Sequence, residues 1–104
     1  MKPRKKSASE RKKLEDRLYR AVLELETVDE CRKFFIDLCT PVEIEAMSDR
    51  WGIVGLLLKN LSYREIAAET GVSVATIGRV ARCLHGDIEG YRLVAKKIGE
   101  WKND

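Results

Sequence analysis

The stretch from Ser62 to Leu84, SYREIAAETGVSVATIGRVARCL, leaves this chain few ways to fold. Ser62 and Glu65 stand in the S-x-x-E relation of a capping box, which opens a helix by satisfying two amide donors reciprocally. Ile66 and Ala67 supply the apolar side of that helix. Gly71 then follows Thr70, where a left-handed C-terminal residue is wanted. Ser73 can cap a second helix, on which Ile77, Val80 and Leu84 recur at helical spacing. The pattern predicts two short helices that approach closely at Ala67, turn at Gly71 and wedge on Ile77. These are the requirements of a helix-turn-helix over about residues 62–84.

The outward side of the second helix narrows the reading. Ser73, Ala75, Thr76, Gly78, Arg79 and Arg82 are small or basic, with no acid among them. Packing one helix on another does not require such a surface, whereas lying between phosphates does. The plain alternative is a helical hairpin in a small bundle.

A chain of 104 residues supports one domain with one core. Charged residues make up 36% and apolar ones 44%, a balance suited to a solvated globule. No apolar run approaches the roughly 20 residues of a membrane span. The basic N-terminus leads into no apolar segment, so no secretion signal is visible and the expected location is the cytoplasm. Three cysteines without paired spacing fit reduced thiols. Cys31, Cys39, Cys83 and His85 lack the C-x-x-C pair of a zinc site, and Cys31 and Cys83 read as apolar helix positions, so no metal is expected.

Charge is unevenly placed. Residues 1–13 carry +6 (Lys2, Arg4, Lys5, Lys6, Arg11, Lys12 and Lys13 against Glu10), and the remainder carries −3. A basic arm on a mildly acidic body suggests a polyanion contact, the alternative being a solubilising tail. The arm, residues 1–8, should be disordered, with a single helical domain over 9–104.

In that domain Ser9 can cap a first helix with a stripe of Leu14, Leu18, Val22 and Leu25. Thr27 and Glu30 form a second capping box, and the helix after it, to about Leu38, offers Val28, Cys31, Phe34, Phe35 and Leu38. Thr40-Pro41-Val42-Glu43 is the strongest helix start, with proline at the first helical position. Its helix, to about Lys59, is apolar over more than half its circumference and should be central. Gly52 and Gly55 each cost that helix about 1 kcal/mol relative to Ala, which a close neighbouring backbone would offset. Asn60 can end it. Gly86 should end the second motif helix, and Asp87 cap a last one with Ile88, Tyr91, Val94, Ala95, Ile98 and Trp101 on one face. No β pattern is present, so the fold is all-α with six helices. A monomer would struggle to cover so many apolar faces. An intertwined homodimer would cover them and set two reading heads about one DNA turn apart.

At this point the chain resembles the tryptophan-repressor family, and within it the small Trp-repressor-like YerC/YecD branch. The resemblance is carried by L-C-T-P-V-E-I-E-A-M-S-D-R from Leu38 and by L-S-Y-R-E-I-A-A-E-T-G-V-S-V-A-T-I-G-R-V from Leu61. It implies a DNA-binding transcriptional regulator, a repressor, acting as a homodimer on a palindromic operator in double-stranded DNA. The family's DNA-facing positions match Tyr63, Arg64, Ala67, Val74, Ala75, Thr76 and Gly78, to which chemistry adds Ser73 and Arg82. Arg64 suits a bidentate contact to guanine, and Val74 and Ala75 suit thymine methyls. Ala67 stands where the repressor has a basic residue, which removes one phosphate contact. The competing reading is a protein-interaction module that docks another protein through the same two helices. An enzyme is not expected: there is one histidine, and no nucleophile–base pair or phosphate loop.

The same resemblance places a corepressor site on Thr40, Arg50, Thr76, Arg79 and Cys83, with Arg50 and Arg79 flanking the bound indole. Val80 replaces the glycine that floors the indole, and Cys83 replaces a hydrogen-bonding serine. The resulting expectation is a regulator without cofactor, either ligand-free or holding a smaller anion between Arg50 and Arg79. Alternatively these arginines pair with carboxylates such as Asp49 or Glu45. Overfilling a packed site commonly costs about 1–3 kcal/mol. Calorimetric titration with L-tryptophan should therefore show no binding in the micromolar range, and a micromolar dissociation constant would refute the occlusion.

Overall fold

A computed structural model of the chain describes residues 5–101. Among them lie six α-helices and no strand: α1 (Ala8–Leu23), α2 (Val28–Leu38), α3 (Pro41–Leu58), α4 (Tyr63–Thr70), α5 (Val74–Leu84) and α6 (Gly90–Lys97). The fold is all-α, as expected. The chain divides into two compact units, Met1–Thr40 and Pro41–Asp104.

In the first unit, Ser7 rather than Ser9 caps α1. Its hydroxyl accepts from the Glu10 amide at 3.1 Å, and the Glu10 carboxylate accepts from the Ser7 amide at 3.3 Å. Three residues after Ser9 stands Lys12, which cannot close such a box. Of the arm expected to be disordered, residues 1–4 lie outside the described residues, and Ala8 is already helical. At α2, Thr27 Oγ1 accepts from the Glu30 amide, and the Glu30 carboxylate reaches past Thr27 to the Glu26 amide at 3.0 Å. Leu14, Leu18, Ala21, Phe34 and Leu38 line one hollow between the two helices. No residue of α1 or α2 is fully buried, and Leu23 and Val28 are 79% and 73% exposed.

The second unit has the core. Ile53, Val54, Ile66, Ile77, Val80 and Leu84 are buried together, ringed by Trp51, Leu57, Leu61, Ala67, Val72 and Tyr91. The central helix is α5, which packs on α3, α4 and α6. The sequence pointed to α3 instead, yet α3 buries only Ile53 and Val54 and leaves Val42 76% exposed. Nor does a second backbone approach its glycines within the described chain. Nothing lies within 4 Å of a Cβ at Gly52, and only Glu100 Oε1, at 3.8 Å, at Gly55. Asn60, with φ of 65°, turns the chain out of α3.

The α5–α6 link also departs from expectation. His85 rather than Gly86 is the C-terminal cap of α5, and Asp87 does not cap α6, which starts at Gly90 after Glu89 in a left-handed conformation. The reason is Arg92. Its Nη1 donates to the Leu84 carbonyl at 2.7 Å and its Nη2 to the Gly86 carbonyl at 2.9 Å. Nη2 also pairs with Glu89 at 3.1 Å. One guanidinium thus takes up the last carbonyl of α5 and the Gly86 carbonyl beyond it, and it holds residues 85–89 as an irregular link. Ile88 is consequently 93% exposed rather than on the apolar face of α6, where Ala95 alone is buried. The Trp51 and Tyr91 rings, 6.1 Å apart, join α3 to α6. Hydrogen bonds to a charged group contribute about 1.5–3 kcal/mol. Arg92→Ala should lower the unfolding free energy in urea by about that amount, and an unchanged urea midpoint would show that water replaces the guanidinium at no cost.

Candidate nucleic-acid interface

Local hydrogen bonds build the two-helix unit before packing fixes it. Ser62 Oγ accepts from the Glu65 amide at 3.1 Å while the Glu65 carboxylate accepts from the Ser62 amide at 3.3 Å, closing the expected box. At the other end of α4, Gly71 has φ of 75°, where a Cβ would be strained, and its amide donates to the Ala67 carbonyl at 2.9 Å. Thr70 braces the turn, its hydroxyl donating to the Ile66 carbonyl at 2.7 Å and accepting from the Val72 amide at 3.1 Å. Ser73 then caps α5, accepting from the Thr76 amide at 3.2 Å. Capping residues of this kind each contribute about 1 kcal/mol.

Burial of Ile77, Val80, Ala81 and Leu84 decides which side of α5 faces out. What remains exposed is Ser73, Val74, Ala75, Arg79, Arg82 and Cys83, along a face with no acid from Ser73 to Gly86. Tyr63 and Arg64 are exposed on the first turn of α4. Three of the proposed DNA-facing positions are less open. Ala67 is half-buried, its methyl packed against the core where the helices approach. Gly78, read from the sequence as outward, is buried, because the Tyr63 and Arg82 side chains close over it. Thr76 is half-buried and accepts from the Ser73 hydroxyl at 3.1 Å, which leaves its own O–H to donate.

The positions carried over for a corepressor divide. Arg79 and Cys83 line a hollow of about 580 Å³ at the C-terminal end of α5, together with Arg82, Asp87, Ile88 and Tyr91. Arg50, half-buried on α3, does not line it, and neither does Thr76. Among the described residues neither Arg50 nor Arg79 forms an ion pair, so the pairing with Asp49 or Glu45 is not made. Val80 is only 1% exposed and packs in the core with Ile77 and Leu84. Thr40 falls in the other unit. The cysteines differ from expectation: Cys31 and Cys83 are exposed and Cys39 is half-buried. Among the described residues no three His, Cys, Asp or Glu side chains converge as metal ligands. No described helix is long and apolar enough to cross a membrane. Sequence reasoning missed Arg92, whose contacts lie six and eight residues back and follow no capping spacing.

The sequence model of the family described as Trp repressor protein matches residues 12–98. The chain belongs to that family. It is 36% identical over 89 residues to the Uncharacterized protein YerC of Bacillus subtilis, covering 86% of each chain. Two solved structures share the fold. A TrpR-like protein from Eubacterium eligens superposes with a TM-score of 0.77 at 38% identity, covering 85% of this chain and 91% of that one. A candidate Trp repressor from Staphylococcus aureus gives 0.78 at 36% identity, covering 85% and 88%. Family membership bears most directly on α3 to α5, where the motif residues and the core coincide.

Proposed function

We propose that this chain is a sequence-specific DNA-binding transcriptional regulator, a cytoplasmic repressor that acts as a homodimer on a palindromic operator and does not respond to tryptophan. The observation that carries the reading is the exposed, acid-free face of α5, held outward by the burial of Ile77, Val80 and Leu84 and flanked by Arg64. Membership of the Trp repressor protein family supports the same direction. In this reading α5 lies in the major groove, Arg64 reads a guanine, and Arg79 and Arg82 meet phosphates. Burial of Val80 supports independence from tryptophan. The dimer is supported by α1 and α2, which bury no side chain fully, and by the exposure of Leu23, Val28, Val42 and Ile88. Such surface is ordinarily covered by a second chain.

Selection of bound sites from a random duplex pool should return a palindrome, with affinity falling steeply as salt rises. Arg64→Ala should cost about 1–3 kcal/mol at one base position of each half-site and relax the preference there. A protein that ignores DNA at low salt would favour the protein-docking alternative. Light scattering should give twice the chain mass, and the monomer mass would refute the interlocked dimer.

A further inference from the structure

The link between α5 and α6 is built against its own local chemistry. Asp87 is a ready N-cap, yet α6 passes it over and starts after Glu89, which makes no side-chain cap hydrogen bond. Glu89 also holds φ of 66°, a left-handed backbone that a residue with a Cβ adopts only under strain. At Gly86 a Cβ would lie 3.1 Å from the Arg82 carbonyl oxygen, tighter than ordinary van der Waals contact, so the chain crosses the end of α5 closely. Each feature disfavours the link taken alone. Together they bring Arg92 to the Leu84 and Gly86 carbonyls, at 2.7 and 2.9 Å.

The result is a fixed joint. The Arg92 side chain is only 18% exposed, so its hydrogen bonds lie largely out of competition with water. A planar fork that grips the end of one helix from the next leaves little freedom in the angle between them. The two helices it joins carry different surfaces. α5 shows the acid-free face, whereas α6 leaves Leu93, Val94 and Ile98 exposed beside the buried Ala95. Those apolar side chains are the part of α6 that a second copy of the chain would cover. Arg92 engages the C-terminal end of α5, opposite the N-terminal residues that would enter a groove, and its charge is already paired with Glu89.

We propose that Arg92 is a positioning residue that fixes the separation of the two reading faces in the homodimer, and so the spacing of the half-sites that the protein accepts. The inference rests on the reading of the chain as a dimeric DNA-binding regulator. With the joint closed, docking through α6 dictates where each α5 lies. With it open, the angle between α5 and α6 relaxes, and the dimer accommodates half-sites at several separations. A change of one base pair moves a half-site by about 3.4 Å and turns it by about 35° around the duplex. A fixed joint cannot follow that movement.

The test is anisotropy titration of labelled duplexes that carry the palindrome returned by site selection, with its half-sites in place or moved one or two base pairs closer or farther. Wild type, Arg92→Lys and Arg92→Ala are compared at a temperature where circular dichroism shows each folded. Lysine keeps the charge and the apolar stem but has no fork to span both carbonyls. Wild type should bind the unshifted duplex at least about tenfold more tightly than either single-base-pair shift. Both variants should flatten that preference to about threefold or less, Arg92→Ala the more. The slope of log affinity against log salt should stay unchanged, because Arg92 meets no phosphate. Weaker binding by one common factor at every spacing would overturn the proposal, by showing that Arg92 serves the fold alone. So would a slope smaller by about one, which would make Arg92 a phosphate contact. A wild type that binds the palindrome but ignores spacing would overturn the joint while leaving DNA binding intact. A wild type that ignores duplex DNA at low salt would refute the DNA reading on which the joint rests.

Discussion

Burial of Ile77 orders the rest of the second unit. This side chain has no exposed surface, and it sits among Ile53, Val54, Ile66, Val80 and Leu84, which are buried to the same degree. Each fully buried aliphatic side chain contributes about 1.5–3 kcal/mol. Rolling α5 by one position would expose several of them at once, far more than any surface contact could offset. The rotation of α5, and with it the identity of every residue it shows to solvent, is therefore a consequence of the core.

Rotation alone does not give a rigid head, and the remaining constraints come from hydrogen bonds at the helix ends. Ser62 and Ser73 satisfy the first amides of α4 and α5, Thr70 and Gly71 take up the turn, and Arg92 closes the far end of α5. Short helices hold little stability of their own, so a pair this short depends on having its open ends satisfied. The outcome is a small exposed face whose backbone is fixed from both ends and from below. Such a face can approach a polyanion without first having to order itself.

The first unit has the opposite character. α1 and α2 are capped correctly and lean on each other through Leu14, Leu18 and Phe34, yet neither buries a residue fully. Leu23, Val28 and Ile36 there, and Val42 on α3, are left exposed.

How much could be read without coordinates follows from the range of the interactions. The starts of α2, α4 and α5 and the left-handed Gly71 were legible because a cap or turn involves residues three or four apart, and the α5 core stripe because its period is helical. At α1 the sequence reading took Ser9 and passed over Ser7, which has Glu10 three residues on where Ser9 has Lys12. Tertiary structure decided the rest. Arg92 joins carbonyls that no local spacing links to it, and so moves the start of α6 past Asp87 and strands Ile88 in solvent. Gly78 is covered by Arg82 from its own helix and by Tyr63 from α4, and Cys83 is exposed because α5 turns its other side to the core. By itself the sequence determined the number of helices, the N-terminal caps of α2, α4 and α5 and the apolar period of α5, all of which arise from residues close together in the chain. Which surfaces remained open was settled by packing, because that depends on atoms distant in the chain arriving at the same place.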